Sequence, residues 1–161
     1  MKSTIHIHHR IQSHLSDKAL FQNLQNIDSY YLQLSPAHRA FKVTHGSLEV
    51  EGSQIENEES VWGQTVTHHY IIQKIDPNRH IQLVSNPSRV TIWGLFKMSI
   101  STTVDFIITP TPQGATLTST LTLNFGSRLK KQLALAAGTR WIWQHHLKEE
   151  LENGKKIFEQ N

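Results

Sequence analysis

Near the C-terminus, the sequence Trp141-Ile-Trp-Gln-His-His-Leu-Lys-Glu-Glu-Leu-Glu-Asn-Gly-Lys-Lys-Ile-Phe158 has the periodicity of one long helix. At about 100° per residue, its apolar and small residues fall on a single face. These residues are Trp143, Leu147, Leu151, Gly154, Ile157 and Phe158. We therefore predict an amphipathic helix from about residue 140 to residue 158, with this face packed on the rest of the protein.

The same helix carries two overlapping His-x-x-x-Glu pairs, His145/Glu149 and His146/Glu150. Each pair places an imidazole and a carboxylate one turn apart, an arrangement able to hold a metal ion. His146 and Glu150 fall within the apolar face or at its edge, whereas His145 and Glu149 point to solvent. A buried His146/Glu150 pair is either mutually hydrogen-bonded or part of a larger site. Because a buried acid needs a partner or a metal, further ligands are worth seeking.

The remainder of the chain predicts mainly antiparallel strands. Residues 4 to 11 alternate as a first strand, and two short helices follow, one after Ser16 and one over residues 27 to 34. From residue 41 to residue 125 the pattern has period two and is broken by turn residues, which predicts about six strands. The segment 127 to 140 is prone to be helical, and Gly138 permits a bend before the final helix. It is either the first half of the final helix or a lid over a pocket.

Composition indicates a single globular domain over residues 1–161, with 37% hydrophobic and 18% charged residues. The chain has no cysteine, so a metal site must use His, Asp and Glu. The net charge of +3 is mild and most basic residues are scattered, so we expect no nucleic-acid partner. No stretch approaches 18 apolar residues in a row, the rough minimum for a membrane span. We therefore expect a soluble, cytoplasmic protein with no membrane partner.

A strand, two short helices, a run of strands and a long last helix together resemble the START-like polyketide cyclase/dehydrase superfamily. The turn Asp76-Pro-Asn-Arg79 before an apolar strand adds to the resemblance. It implies the α+β helix-grip fold, in which a curved antiparallel sheet surrounds the C-terminal helix. It also implies a pocket for a small hydrophobic or aromatic molecule, without fixing any chemistry.

Two further segments sharpen this resemblance, Tyr30-Tyr-Leu-Gln-Leu-Ser-Pro-Ala-His-Arg-Ala-Phe41 and Gly52-Ser-Gln-Ile-Glu-Asn-Glu-Glu-Ser-Val-Trp-Gly63. With the helix pair they are similar to the zinc-dependent 2,4-diacetylphloroglucinol hydrolases. The resemblance implies a metal held by His38, Glu58 or Glu59, His146 and Glu150. This chain is far shorter than those hydrolases, so part of their substrate site has no counterpart here.

Strand parity favours Glu59 over Glu58 as the acidic ligand. Ile55, Asn57, Glu59 and Val61 share a face that is apolar at both ends, whereas Glu58 belongs to a polar face. A β-bulge would exchange the faces on which the two acids lie, so Glu58 remains the alternative ligand.

On the next strand, His68 shares parity with Val66, Tyr70 and Ile72, which predicts that it faces the pocket as a candidate catalytic base. Five aromatic residues are candidates for walls of the pocket or for ordinary core packing. They are Tyr30, Tyr31, Trp62, Trp93 and Phe96.

Two hypotheses of function follow. In the first, two His and two carboxylates hold a divalent metal, best Zn²⁺ although Fe²⁺, Mn²⁺ or Ni²⁺ is compatible. The protein is then a metal-dependent hydrolase or lyase for an aromatic or polyketide-like molecule, with His68 or a tyrosine moving the proton. In the second, the protein is a non-enzymatic carrier or sensor of a hydrophobic ligand, and the four polar residues form a structural metal site or a hydrogen-bonded core.

Overall fold

Eight strands form one antiparallel sheet in the computed structural model, which describes residues 3–160. In chain order they are β1 (Thr4–Ser13), β2 (His38–His45), β3 (Gln54–Val61), β4 (Gln64–Asp76), β5 (His80–Ser85), β6 (Ser88–Ile92), β7 (Phe96–Thr111) and β8 (Gly114–Asn124). Their order across the sheet is β1-β8-β7-β5-β4-β3-β2, and β6 pairs with β4 and β7. Seven strands therefore follow β1, rather than the predicted six, because β6 forms a strand of its own and β2 starts at His38.

Alternation within each strand decides which side chains enter the core. In β8 every second residue from Ala115 to Leu123 is buried, and the residues between them are half-buried threonines. β8 pairs with β1 on one side and with β7 on the other, so its buried face lies in the middle of the apolar core. The period-two pattern that the sequence shows in this segment is confirmed for this strand.

The helices after β1 are shorter and more broken than the pattern predicts. The helix α1 (Asp17–Gln25) starts at Ser16, whose hydroxyl accepts a hydrogen bond from the amide of Ala19. The predicted second helix consists of two pieces, a 3-10 turn at Ile27–Ser29 and α2 (Tyr31–Leu34). The Ser35-Pro36 pair ends α2 with an extended backbone at Ser35, because a residue before proline avoids the helical conformation.

Two separate helices close the chain, α3 (Arg128–Ala136) and α4 (Thr139–Phe158). Gly138 lies between them with φ of 75°, a left-handed conformation that glycine adopts without strain. The segment 127 to 140 is therefore not the first half of the final helix. The predicted bounds of the final helix itself are confirmed.

The helix α4 packs its apolar face on the inner face of the sheet, where Trp143 and Leu147 join one buried cluster and Leu151 and Phe158 join another. The helix-grip architecture predicted from the sequence is confirmed. Residues 1, 2 and 161 of the predicted domain lie outside the described part of the chain. Within residues 3–160, no helix is both long and apolar enough to cross a bilayer.

Candidate metal and ligand site

A cavity of about 90 Å³ lies between α4 and the inner face of the sheet. A single water needs roughly 10–15 Å³ of such space, so the cavity admits several waters or a small organic group. Most of its lining is apolar and comes from α1, the 3-10 turn and strands β3, β4, β5, β7 and β8. Ionisable side chains are gathered on the side where β3 faces α4, and they are Glu59, His68, His146 and Glu150. None of the residues of α3 lines this cavity, so α3 is not the lid that the sequence allowed.

His38, the first residue of β2, is buried. One of its ring nitrogens makes a hydrogen bond and the other makes none. Its Nδ1 lies 2.6 Å from the carbonyl oxygen of Tyr31, to which it donates. Its ring stacks on that of Tyr31 with centroids 3.9 Å apart. In the neutral tautomer with its proton on Nδ1, Nε2 presents a lone pair, and this buried atom has no hydrogen-bond partner.

The two ring nitrogens of His146 on α4 differ in the same way, since one lies near a hydrogen-bond partner and the other has none. Its Nδ1 lies 3.4 Å from the hydroxyl oxygen of Ser35, and that hydroxyl donates to Glu149 at 2.7 Å. The Ser35 oxygen also accepts from the amide of Ala37. His146 Nε2 is buried and has no hydrogen-bond partner. Two imidazoles from opposite ends of the chain thus bring unpartnered nitrogens into the same region.

The four predicted ligand residues lie together. One ligand atom each from His38, His146 and Glu150 falls within 4.8 Å of the other two. Glu59 faces both imidazoles, with one carboxylate oxygen 3.9 Å from Nε2 of His38 and the other 3.9 Å from Nε2 of His146. These separations exceed a hydrogen bond, and they leave a space bounded by two nitrogens and two carboxylates.

A hydrogen-bonded group fixes Glu59 in place. The Tyr31 hydroxyl donates to its carboxylate at 2.5 Å, and the side-chain amide of Asn57 donates to the same oxygen at 2.9 Å. Asn57 also donates to the Tyr31 oxygen at 2.6 Å. Burial alone would raise the pKa of Glu59, but His146, His68, His38 and the bond from Tyr31 together hold that pKa below its usual range. Glu59 is therefore an oriented carboxylate.

The pKa of Glu150 is shifted in the opposite direction from that of Glu59. Burial raises its pKa, and the nearby Glu59 carboxylate adds to that rise, against the lowering effect of His38 and His146. Two carboxylates facing one space resist simultaneous ionisation unless a cation lies between them. Without a cation, Glu59 therefore ionises more readily than Glu150.

His68 enters the cavity from β4, in register with Asn57 of β3. Its side chain is fully buried, and burial lowers its pKa to about 4, so the imidazole is neutral at physiological pH. Its Nδ1 has no hydrogen-bond partner, and its ring centroid is 4.9 Å from that of Tyr70. A neutral imidazole with a free nitrogen in a cavity can accept a proton from a bound molecule.

The structure separates the remaining candidates. Glu58 lies on the opposite face of β3 from Glu59 and is half-buried, so it is not part of the cluster. His145 is exposed, as predicted. Glu149, which the helical pattern places toward solvent, is half-buried and bonded to Ser35, because α2 and the residues after it cover that side of α4.

Four of the five aromatic candidates do not wall the cavity. Tyr31 lines it, whereas Tyr30 is buried beside Phe158, outside the lining. Trp62, Trp93 and Phe96 are exposed. Trp62 and Trp93 occupy hairpin turns with φ of 48° and 51°, and alternation does not extend through such turns.

Sequence reasoning missed Ser35 and gave Asn57 no function. Asn57 carries a detectable signal, since a polar residue two positions from Glu59 on a buried strand face needs a partner. Ser35 carries no such signal, because its partners depend on how α2 packs against α4.

No model of a known protein family and no curated protein matches this sequence. Solved structures do match over nearly the whole chain. TTHA0849 from Thermus thermophilus has a TM-score of 0.76 with 9% identity, over 97% of this chain and 98% of that one. Ara h 8.0201 has a TM-score of 0.64 with 11% identity, over 98% of this chain and 99% of that one. The major latex-like protein 151 of Panax ginseng has a TM-score of 0.58 with 14% identity, over 89% and 98%. These likenesses establish the START-like helix-grip fold alone.

Proposed function

We propose that the protein binds one divalent metal ion, Zn²⁺ by preference, through His38, Glu59, His146 and Glu150. We further propose that it acts as a hydrolase or lyase on a small aromatic or polyketide-like molecule held in the cavity. The observation that carries this proposal is the pair of buried, unpartnered Nε2 atoms that face two carboxylates.

The donor set fits a divalent cation. Two neutral imidazoles and two carboxylates are the ligand types that Zn²⁺ accepts in the absence of cysteine. The Nδ1 atoms of both histidines are turned away from the cluster, toward a backbone carbonyl and toward Ser35. Such outer hydrogen bonds hold a ligating imidazole in the correct tautomer. Buried nitrogens and acids left without a cation would be costly, which supports a resident ion.

When bound, the ion supplies a Lewis acid that polarises a carbonyl and lowers the pKa of a coordinated water. Side chains of the protein bind the substrate, exclude water and transfer the proton. Apolar side chains of the cavity, among them Ile72, Val104 and Leu121, hold an aromatic ring and exclude bulk water. His68 accepts or returns a proton at its free Nδ1, and Tyr31 with Asn57 keeps Glu59 oriented.

The resemblance to the 2,4-diacetylphloroglucinol hydrolases supports the same ligand order, His, Glu and then His-x-x-x-Glu. The substrate proposed here is limited by the size and the apolar lining of the cavity. We therefore propose a small aryl ketone or related phenol as the substrate class, rather than the substrate of those hydrolases.

Metal analysis of protein purified without a histidine tag is the first test, with about one equivalent of zinc per chain expected. The second test is turnover of a panel of aryl ketones and acylated phenols, followed by mass spectrometry with and without a chelator. His68→Gln should keep the metal and lower turnover by about 10²–10⁴-fold, the typical contribution of a general base. His69→Gln, on the exposed face of the same strand, is the matched control.

The apolar lining favours one alternative, a carrier or sensor of a hydrophobic ligand. In that case ligands bind with and without metal and no product forms. Turnover that disappears with the chelator excludes the carrier function, while metal-independent binding without turnover across the panel excludes the enzyme.

A further inference from the structure

Seven large apolar side chains are exposed on the β3–β4 turn, the β6–β7 turn with the start of β7, α3 and the start of α4, and none of them lines the cavity. Each is more than half exposed, and they are Trp62, Trp93, Leu95, Phe96, Leu129, Leu133 and Trp141. Elsewhere in residues 3–160, only Leu32 and Val50 expose a large apolar side chain to a similar extent. The exposed apolar side chains are therefore concentrated on these few elements, and we call these seven residues the aromatic rim.

Contacts between different elements join the three tryptophans of the rim. The ring of Trp62, in the β3–β4 turn, meets that of Trp141 on α4 with centroids 5.3 Å apart. Trp93, in the β6–β7 turn, covers Gly63, where an added Cβ would lie only 2.6 Å from the indole ring. The amide of Trp93 also donates to the carbonyl of Gly63 at 2.7 Å. The two turns and the start of α4 thus form a continuous surface.

The backbone conformation of the two turns indicates that the tryptophans are retained for a function of their indole side chains. Trp62 and Trp93 both have positive φ, which Asn, Asp or Gly adopts more easily in a tight turn. A bulky residue in this conformation is strained, and such strain concentrates at functional positions. Neither indole is used to fill the core, since both are exposed.

The surface beside the rim is basic. Lys130 of α3 shares a shallow surface pocket with Arg89 of β6 and Lys97 of β7. The sequence has no acidic residue between Asp76 and Asp105 and none between Asp105 and Glu149. The strand β6, the first half of β7, α3 and the start of α4 therefore carry cations without neighbouring carboxylates in their own segments.

We propose that the aromatic rim, with Arg89, Lys97 and Lys130, docks the protein on the surface of an anionic lipid bilayer. Tryptophan favours the interface between lipid and water, and exposed leucines gain by entering it. Lysine and arginine beside them are attracted to anionic headgroups. The sequence expectation of no membrane partner rested on the lack of a spanning segment, and a surface contact needs none.

Two other occupants fit the observations less well. Single-stranded nucleic acid stacks on aromatic rings, but Leu95 and Leu129, the most exposed residues of the rim at 79% and 70%, offer no ring. A second copy docked through the same face would bring the basic residues of both copies together, which is repulsive. A bilayer with anionic headgroups can accept the exposed leucine side chains and attracts the basic residues beside them.

Co-sedimentation with vesicles tests the proposal. Wild-type protein should bind vesicles of phosphatidylcholine mixed with phosphatidylglycerol, bind phosphatidylcholine alone weakly, and lose affinity as salt is raised. Leu95→Glu and Leu129→Glu should each abolish binding, and Lys130→Glu should weaken it by about 30-fold. Val50→Glu and Lys156→Glu, exposed positions outside the rim, are the matched controls and should bind like wild type. Circular dichroism checks that every variant is folded.

Failure of the wild type to bind anionic vesicles would overturn the proposal. Equal loss of binding in the control variants would do the same, and so would equal binding to both vesicle types. Analytical ultracentrifugation and titration with a single-stranded oligonucleotide cover the other occupants. A dimer or a nucleic-acid complex that is lost in Leu95→Glu, without vesicle binding by the wild type, would assign the rim to that partner instead.

Discussion

The two sides of the cavity differ in chemistry although they are built on the same sheet and helix. One side, together with the adjacent His38, forms what we call the polar corner, which consists of Tyr31, His38, Asn57, Glu59, His146 and Glu150. The other, the apolar wall, is made of aliphatic and aromatic side chains from α1 and strands β4, β5, β7 and β8. The apolar wall stabilises the fold by burial, whereas the polar corner places ionisable groups where burial is costly. Burial of these groups does not stabilise the fold, which supports the proposal that the polar corner holds an ion.

The largest expected effect concerns Trp143, which lies where the apolar wall meets His146. Its indole nitrogen donates to the buried side chain of Gln64 at 2.8 Å. Trp143→Ala should lower the free energy of unfolding by about 3–5 kcal/mol, because it leaves a void and an unpaired Gln64. Urea unfolding measures the change. Trp141→Ala, exposed and two residues away, should cost less than about 1 kcal/mol, and equal losses in the two variants would break the assignment of these faces.

The second prediction concerns metal and stability. Zinc at 100 times its dissociation constant should raise the free energy of unfolding by about 2.7 kcal/mol, because only the folded state holds the ligands together. A chelator should remove the increment, as seen in a thermal melt. An increment that persists in His38→Ala would mean that the ion binds elsewhere.

Ser35 gives a smaller and more local effect. Ser35→Ala removes the acceptor for His146 Nδ1 and the link to Glu149. Loss of such an outer contact should weaken zinc binding by roughly 10–100-fold. Isothermal titration measures the affinity, and Ser99→Ala, at an exposed position of β7, serves as the control. Unchanged affinity in Ser35→Ala would show that the orientation of His146 does not depend on this hydroxyl.

The smallest effect is a dependence on pH in the metal-free protein. Because the pKa of Glu150 is raised from 4.5, its favourable contribution is complete below that value and is lost as pH rises through the raised pKa. The pKa of Glu59 is lowered, so its contribution is present above 4.5 and is lost as pH falls. Without metal, Glu150→Gln should therefore be more stable than wild type near pH 7 and similar to it near pH 4.

Urea unfolding across this range, with the metal removed, measures the difference. Glu58→Gln, on the other face of β3, should retain the pH profile of the wild type. In the presence of zinc the wild type should be more stable than Glu150→Gln, because the variant lacks one ligand of the metal. Parallel profiles for wild type and Glu150→Gln in the metal-free state would remove the electrostatic distinction between the two acids.

Periodicity predicted the fold and much of the polar corner, because both depend on which face of an element is buried. Helical spacing separated His146 from His145, and strand parity separated Glu59 from Glu58 and His68 from its neighbour. These choices succeed wherever an element is regular.

The rest depends on geometry that periodicity does not contain. The bond from Ser35 to Glu149 arises from the packing of α2 on α4, which a helical wheel cannot represent. The positions of Trp62 and Trp93 follow from positive φ in tight turns, where alternation stops. The break between α3 and α4 required knowing that Gly138 takes a left-handed conformation, since the segment before it is prone to continue as a helix.

Zinc stoichiometry of two neighbouring variants tests the central claim most directly. His145→Ala and His146→Ala remove the same group from adjacent positions of α4, one exposed and one buried in the polar corner. Both proteins should be purified without a histidine tag, equilibrated with zinc and analysed by mass spectrometry for bound metal. We predict about one zinc per chain in His145→Ala, as in the wild type, and almost none in His146→Ala. Equal zinc content in the two variants, or loss confined to His145→Ala, would contradict the metal site.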